Sequence, residues 1–250
     1  MSARAPTRTV PDATPLSVVL ALPSGRSAHV RFTTAADGDL AVGQPADVVA
    51  ARRRALVPLP WTWLHQVHGN EVVTVAEPGA RAGANADAAV TRAVGAALAI
   101  HTADCAPVAL VADEGVVAVV HAGWRGLAAG IVEGAAEAVR RAGGVRLRAV
   151  VGPCIHHCCY EFGAADLDHL AARYGEEVRA TTAAGRPALD LAAAVASALA
   201  AAGVELAAAS PACTACGGLP LFSHRARGDT ARQAMVVWLE AEPASGSTAT

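Results

Sequence analysis

One cysteine and two histidines close short apolar runs in this chain. His68 lies in Val67-His68-Gly69-Asn70, Cys105 ends His101-Thr102-Ala103-Asp104-Cys105, and His121 opens His121-Ala122-Gly123-Trp124-Arg125-Gly126. Imidazole nitrogen and thiolate sulfur are zinc ligands. Three of them match a catalytic zinc site, whose fourth position stays open for water or substrate, whereas a structural zinc closes with four protein ligands. In an extended segment His65 and His68 face opposite sides, so one of them can reach a shared site. We take His68, because Gly69 lets the backbone approach closely.

The turn after His121 adds anion chemistry. Gly123 and Gly126 let the chain swing from a strand into a helix, which sets free main-chain N–H groups and the Arg125 guanidinium beside His121. That corner suits phosphate or another anion. Cys105, flanked by Asp104 and Pro107, suits a metal or a thiolate–imidazole pair with His121. Asp104, Asp87 and Glu161 are candidate acids or bases, and residue type does not rank them. Each reading has a plain counterpart: a histidine satisfied in a turn, or a cysteine that merely packs.

The remaining cysteines are less specific. Cys213-Thr214-Ala215-Cys216 has metal or redox spacing, but a structural zinc needs a second pair, and only Cys154, Cys158 and Cys159 remain as donors. Cys154-Ile155-His156-His157-Cys158-Cys159 reads as a loop after the Gly152-Pro153 turn, with part of it lining a pocket. Cys213 and Cys216 are not expected in the catalytic site.

These residues need elements to position them. Val72–Val75, Ala97–His101, Pro107–Val111, Val116–Val120, Leu147–Val151 and Ala234–Leu239 are short apolar runs between turn signals and read as strands. Leu16–Leu22, between Pro15 and Pro23, reads as a buried strand rather than the core of a signal peptide. Asp113-Glu114-Gly115 reads as a hairpin turn. A helix is expected over Gly126–Arg141, with Leu127, Ile131, Ala135 and Val139 on one stripe and Gly143-Gly144 ending it. Further helices are expected near Ala164–Tyr174 and in the alanine-rich Leu189–Ala202. Hairpins mixed with helices point to a layered α/β (α+β) domain with mixed sheets. Residues 1–15 and 242–250, small and polar, are expected to be disordered tails around a domain at 16–241.

Composition narrows the function. A chain of 250 residues with 53% hydrophobic and 17% charged residues can build its core without disulfides. Its net charge is −2 and it contains no lysine, so no basic stripe is available to follow a nucleic acid. No apolar run reaches the roughly 18 residues of a membrane span. Six cysteines confined to positions 105–216 favour reduced thiols or metal ligands, and hence the cytoplasm.

The order of these motifs resembles the laccase-domain family, also called multicopper polyphenol oxidase-like and regarded as purine nucleoside phosphorylases. His68-Gly69, Ala86-Asp87-Ala88, Thr102-Ala103-Asp104-Cys105 and His121 to Gly126 are followed by Gly152-Pro153, Cys159-Tyr160-Glu161, Asp190-Leu191, Cys213-Thr214 and Phe222-Ser223. The resemblance spans most of residues 30–240. It implies a single-domain, four-layer α-β-β-α sandwich and a zinc held by His68, Cys105 and His121, with copper as the alternative ion. It also implies phosphorolysis of adenosine, inosine, guanosine and methylthioadenosine, with adenosine deamination as a side activity.

On that reading Cys105, His121 and Arg125 are the catalytic residues, and Arg125 and Asp104 bind substrate. The partners are a purine nucleoside and phosphate, with no nucleic acid and no membrane, and the protein is a monomer or homodimer. The chain departs from the family pattern in its short Thr33-Thr34-Ala35-Ala36-Asp37-Gly38 loop, in His156-His157, and in the reduced arginines at Arg225-Ala226 and Ala231-Arg232. These departures thin the charge expected for phosphate. Two other classes compete: a metal-free Cys–His amidase or hydrolase acting on a cell-wall precursor, and a non-catalytic partner protein. Copper-dependent phenol oxidation is disfavoured, because nine scattered histidines supply no His-Cys-His relay.

Overall fold

The computed structural model describes residues 16–240; the two expected tails lie outside the described residues. The strands are β1 (Ser17–Ala21), β2 (Ser27–Phe32), β3 (Trp61–His65), β4 (Val72–Val75), β5 (Ala84–Asn85), β6 (Ala88–Thr91) and β7 (Ala97–Thr102). They continue as β8 (Ala106–Ala112), β9 (Val116–Ala122), β10 (Leu147–Val151), β11 (Arg179–Thr181), β12 (Pro187–Leu189), β13 (Glu205–Ala209) and β14 (Gln233–Glu240). The helices are α1 (Ala46–Leu56), α2 (Trp124–Ala128), α3 (Ile131–Arg141), α4 (Ala164–Tyr174), α5 (Leu191–Ala201) and α6 (His224–Arg227).

Two six-stranded mixed sheets carry the fold, in the orders β1-β2-β14-β7-β3-β5 and β13-β10-β8-β9-β6-β4. Strand alternation explains how they stack. In β9, Val117 and Val119 turn toward the first sheet and pack with Leu98, Ile100, Met235 and Val237. Val116, Ala118 and Val120 turn the other way, against Leu127, Ile131, Ala135 and Val139. The outer face of the first sheet, with Trp61, Ala97, Ala99 and Val236, is covered by Leu40, Leu56 and Val57. The result is the four-layer α-β-β-α sandwich. Strands buried on both faces read as continuous apolar runs, which is why the central ones were legible.

Two elements depart from expectation. The segment Leu16–Leu22 forms edge strand β1, whose alternate residues face solvent, with Val19 57% exposed. The expected Gly126–Arg141 helix is two helices. Gly130 sits in the left-handed conformation at φ +81° and breaks the chain between α2 and α3. The stripe survives the break, because all four of its residues are buried.

Candidate metal centre and its cavity

Three segments deliver the three donors. His121 lies near the end of β9, Cys105 in the tight link between β7 and β8, and His68 in the loop after β3. Behind them lies Asp87, fully buried. Its Oδ1 accepts from the His121 ring at Nδ1, 2.8 Å away, and from the His68 main-chain N–H at 3.0 Å. Its Oδ2 accepts the N–H groups of Val67 and Gly69 at 3.1 and 2.8 Å. Burial alone would raise this carboxyl, but the His121 bond and these N–H groups outweigh it and hold Asp87 below the usual carboxylate range.

These bonds also correct the expected extended course of residues 67–69. The chain curls, and His68 adopts a left-handed backbone at φ +59°. A non-glycine residue there is uncommon, and three N–H bonds to one carboxylate hold it in place. His68 thus reaches the site by this curl and not by facing inward from a strand.

The ligand atoms of His68, Cys105 and His121 all lie within 4.8 Å of one another. Cys105 Sγ is 3.8 Å from His68 Nε2, and the two imidazole rings meet edge to face. Because His121 Nδ1 is committed to Asp87, its Nε2 is the free nitrogen. Burial would raise the Cys105 thiol, but the charge and hydrogen bond of His121, joined by His68, bring it down to about 6. Burial would lower His121, but the Cys105 thiolate and Asp87 bring it up to about 9.

Gly123 forms the fourth wall of this cradle. A Cβ there would stand 3.0 Å from His68 Cδ2 and 3.1 Å from Cys105 Sγ, so a side chain would enter the space between the donors. Two imidazoles and a thiolate around a space kept clear fit zinc in an open site. Copper accepts the same ligand types.

The triad forms part of the wall of a cavity of about 590 Å³, within the usual range for small-molecule sites. Trp124 and Tyr160 supply aromatic wall, and Arg125, Arg225 and Arg232 supply positive charge. The two C-terminal arginines therefore reach the cavity despite the reduced motifs that carry them. Arg125 stacks over Trp124, 4.4 Å from the ring centroid, and is exposed. It stands in a helix of a single turn, α2, rather than at the head of a long one.

The three candidate acids separate. Asp87 is enclosed by donors of its own chain and acts as a positioning residue. Asp104 lines the cavity, but Thr214 Oγ1 and Ser223 Oγ donate to its Oδ1 at 2.6 and 2.7 Å, and the Arg225 N–H donates to its Oδ2. Glu161 pairs with Arg186 at 3.1 Å and is not among the lining residues.

His101 was missed as a site residue. It ends the apolar run of β7 and lines the cavity, is 6% exposed, and has neither ring nitrogen partnered. Burial, with Arg53 and Arg232 adding to it, pushes it down to about 3, so it is neutral. A histidine inside an otherwise apolar strand was the signal available.

Among known proteins, the family model described as multi-copper polyphenol oxidoreductase laccase matches residues 26–240. A Mycobacterium tuberculosis protein named purine nucleoside phosphorylase is 41% identical over 218 residues, covering 84% of this chain and 86% of that one. A Streptomyces griseus protein of the same name is 41% identical over 240 residues, covering 86% and 95%. The crystal structure of YlmD from Geobacillus stearothermophilus superposes with a TM-score of 0.71 at 27% identity, covering 87% and 93%. A Bacillus licheniformis hypothetical protein, YfiH, shares the fold with a TM-score of 0.74 at 24% identity, covering 84% and 92%.

Proposed function

We propose that this chain, which belongs to the multi-copper polyphenol oxidoreductase laccase family, is a purine nucleoside phosphorylase with a side activity toward the adenosine amino group. The observation that carries this reading is one cavity holding both three arginines and the His68–Cys105–His121 cradle. In phosphorolysis a phosphate oxygen bonds to the ribose C1′ as the N-glycosidic bond breaks. The base leaves with that electron pair and takes up a proton, giving free base and ribose 1-phosphate. The relatives named purine nucleoside phosphorylase support the same reaction class.

The chain's residues divide the work. Arg125 and its neighbours Arg225 and Arg232 bind and orient the phosphate. Trp124 and Tyr160 offer ring faces to the purine. His101, neutral with both nitrogens free, offers one donor and one acceptor to the purine edge. Asp104 holds the loop bearing Arg225 in place through its bonds to Ser223 and the Arg225 N–H. Asp87 fixes the tautomer of His121 and the curl of His68. When bound, zinc at His68, Cys105 and His121 supplies a Lewis acid at the cavity wall. Phenol oxidation by several coppers is not supported, since the described residues bring together only one mixed His–Cys group. The unpaired thiols suit a reducing cytoplasm, and among the described residues no helix is long and apolar enough to cross a membrane.

The test is adenosine turnover with and without phosphate, with adenine and inosine read separately. Adenine should appear only with phosphate, and a smaller amount of inosine in either case. Equal adenine in both arms would make the protein a hydrolase.

A second reading has its own observation. Asp87, His121 and Cys105 form a carboxylate–imidazole–thiol series, with the thiol shifted toward thiolate, as in a Cys–His hydrolase. Tightly bound stoichiometric zinc on the same residues counts against it. An iodoacetamide-sensitive, metal-free activity on amides would favour it.

A further inference from the structure

Four thiols gather away from the His–Cys–His cradle and share no residue with it. Cys158 and Cys159 come from a short 3₁₀ turn after β10, and Cys213 and Cys216 from the loop after β13. Their Sγ atoms all lie within 4.8 Å of one another. Cys158 Sγ is 3.5 Å from Cys216 Sγ and 3.7 Å from Cys159 Sγ. A tetrahedron with Zn–S bonds of about 2.3 Å has S···S edges of about 3.8 Å. The observed separations are close to that edge and well beyond the disulfide bond of about 2.05 Å. All six cysteines are unpaired.

The second loop is shaped for this use. In Cys213-Thr214-Ala215-Cys216-Gly217 the chain folds back so that the Gly217 N–H donates to the Cys213 carbonyl at 2.8 Å. A Cβ on residue 217 would lie 2.4 Å from that oxygen, so the turn closes only with glycine. The His156 N–H donates to Cys213 Sγ at 3.4 Å. Four crowded sulfurs cannot all ionise without a compensating cation.

We propose that Cys158, Cys159, Cys213 and Cys216 form a second, structural site for a thiophilic divalent cation, zinc. All four positions are filled by protein, so the ion is closed to substrate. Cys216 is exposed and Cys158 and Cys159 are half-buried, which leaves a route for the ion from solvent. The ion joins two loops, one lining the cavity and the other bonded to a residue that lines it. One carries Tyr160, and the other carries Thr214, whose hydroxyl donates to Asp104 beside Cys105.

The test is metal content and thiol reactivity of the full chain. Wild type should carry about two zinc ions per chain and Cys105→Ala about one, and Cys158→Ser combined with Cys216→Ser should also retain about one. Cobalt added to metal-free Cys105→Ala should give the intense thiolate-to-cobalt absorption of an all-sulfur tetrahedron. Cobalt in the double serine variant should lack it. Should the serine variant fail to fold, wild type decides: alkylation of the four thiols, mapped by mass spectrometry, should be slow until a chelator strips the metal and then rise together. Fast alkylation before chelation overturns the proposal. So does a Cys158–Cys216 disulfide in freshly purified protein, or a Cys105→Ala protein with no zinc.

Discussion

Asp87 touches both histidines of the proposed centre through a single oxygen: its Oδ1 is 2.8 Å from His121 Nδ1 and 3.0 Å from the His68 N–H. One buried carboxylate therefore sets the ring of one ligand and the backbone of another. Asp87→Asn tests this relationship. The amide keeps the size but places N–H groups against N–H donors, leaving buried groups unsatisfied at a cost of about 1–3 kcal/mol. Zinc affinity should fall about 10- to 100-fold, the usual effect of losing a carboxylate behind a metal-bound histidine. Competition against a chromogenic chelator measures this, and unchanged affinity would remove Asp87 from the centre.

Gly123→Ala separates the centre from the fold. The backbone at residue 123 has φ −77° and ψ 159°, which alanine adopts freely, yet its Cβ would press on His68 and Cys105. Metal at the triad should be lost or weakened more than tenfold, while the metal-free protein melts within about 1 kcal/mol of wild type. A variant that binds zinc normally would show that the cradle is wider than the structure gives.

Proton release gives the pH dependence. In the metal-free protein Cys105 titrates near 6 and His121 near 9, so near pH 7.5 the pair is thiolate and imidazolium. Zinc requires both groups deprotonated, so loading must release about one proton, from His121. Apparent affinity should rise about tenfold per pH unit between about 6 and 9, flatten above that range, and fall more steeply below 6, where Cys105 also holds its proton. Calorimetry in buffers of different ionisation enthalpy counts that proton. Release of none at pH 7.5 would mean that His121 is already neutral.

The parts of this molecule that sequence exposed share one property. β7, β8 and β9 are buried along their whole length and β10 and β14 along most of theirs, so their runs are largely apolar, and His68, Cys105 and His121 stand out as polar donors at the edges of such runs. β13, Glu205–Ala209, is mostly exposed and alanine-rich, and lacks the β-branched residues that mark a strand. α1 places Arg52, Arg53 and Arg54 in succession and shows little amphipathic pattern. The role of Asp87 depends on N–H groups 18 to 20 residues away, and the second thiol pair lies 58 residues from the first along Cys158 and Cys216. Spacing along the chain does not register contacts made by a fold that returns on itself.

Two arginines near the cavity should answer differently to alanine. Arg125 is exposed and stacks on Trp124, and among the described residues its guanidinium makes no salt bridge or hydrogen bond. Its removal should leave the melting temperature nearly unchanged and raise the KM for phosphate about tenfold, the equivalent of about 1.4 kcal/mol of lost charge-assisted bonding. Arg227 donates to the carbonyls of Thr214, Ala215 and Leu221 and pairs with Asp229 at 3.0 Å. Arg227→Ala leaves three carbonyls without their donor and should lower stability by about 1–3 kcal/mol, with a smaller change in the phosphate KM. Thermal melts and phosphate titrations of both variants read the contrast directly. If Arg125→Ala unfolds the protein and keeps its phosphate response, Arg125 is a structural residue, and phosphate binding falls to Arg225 and Arg232.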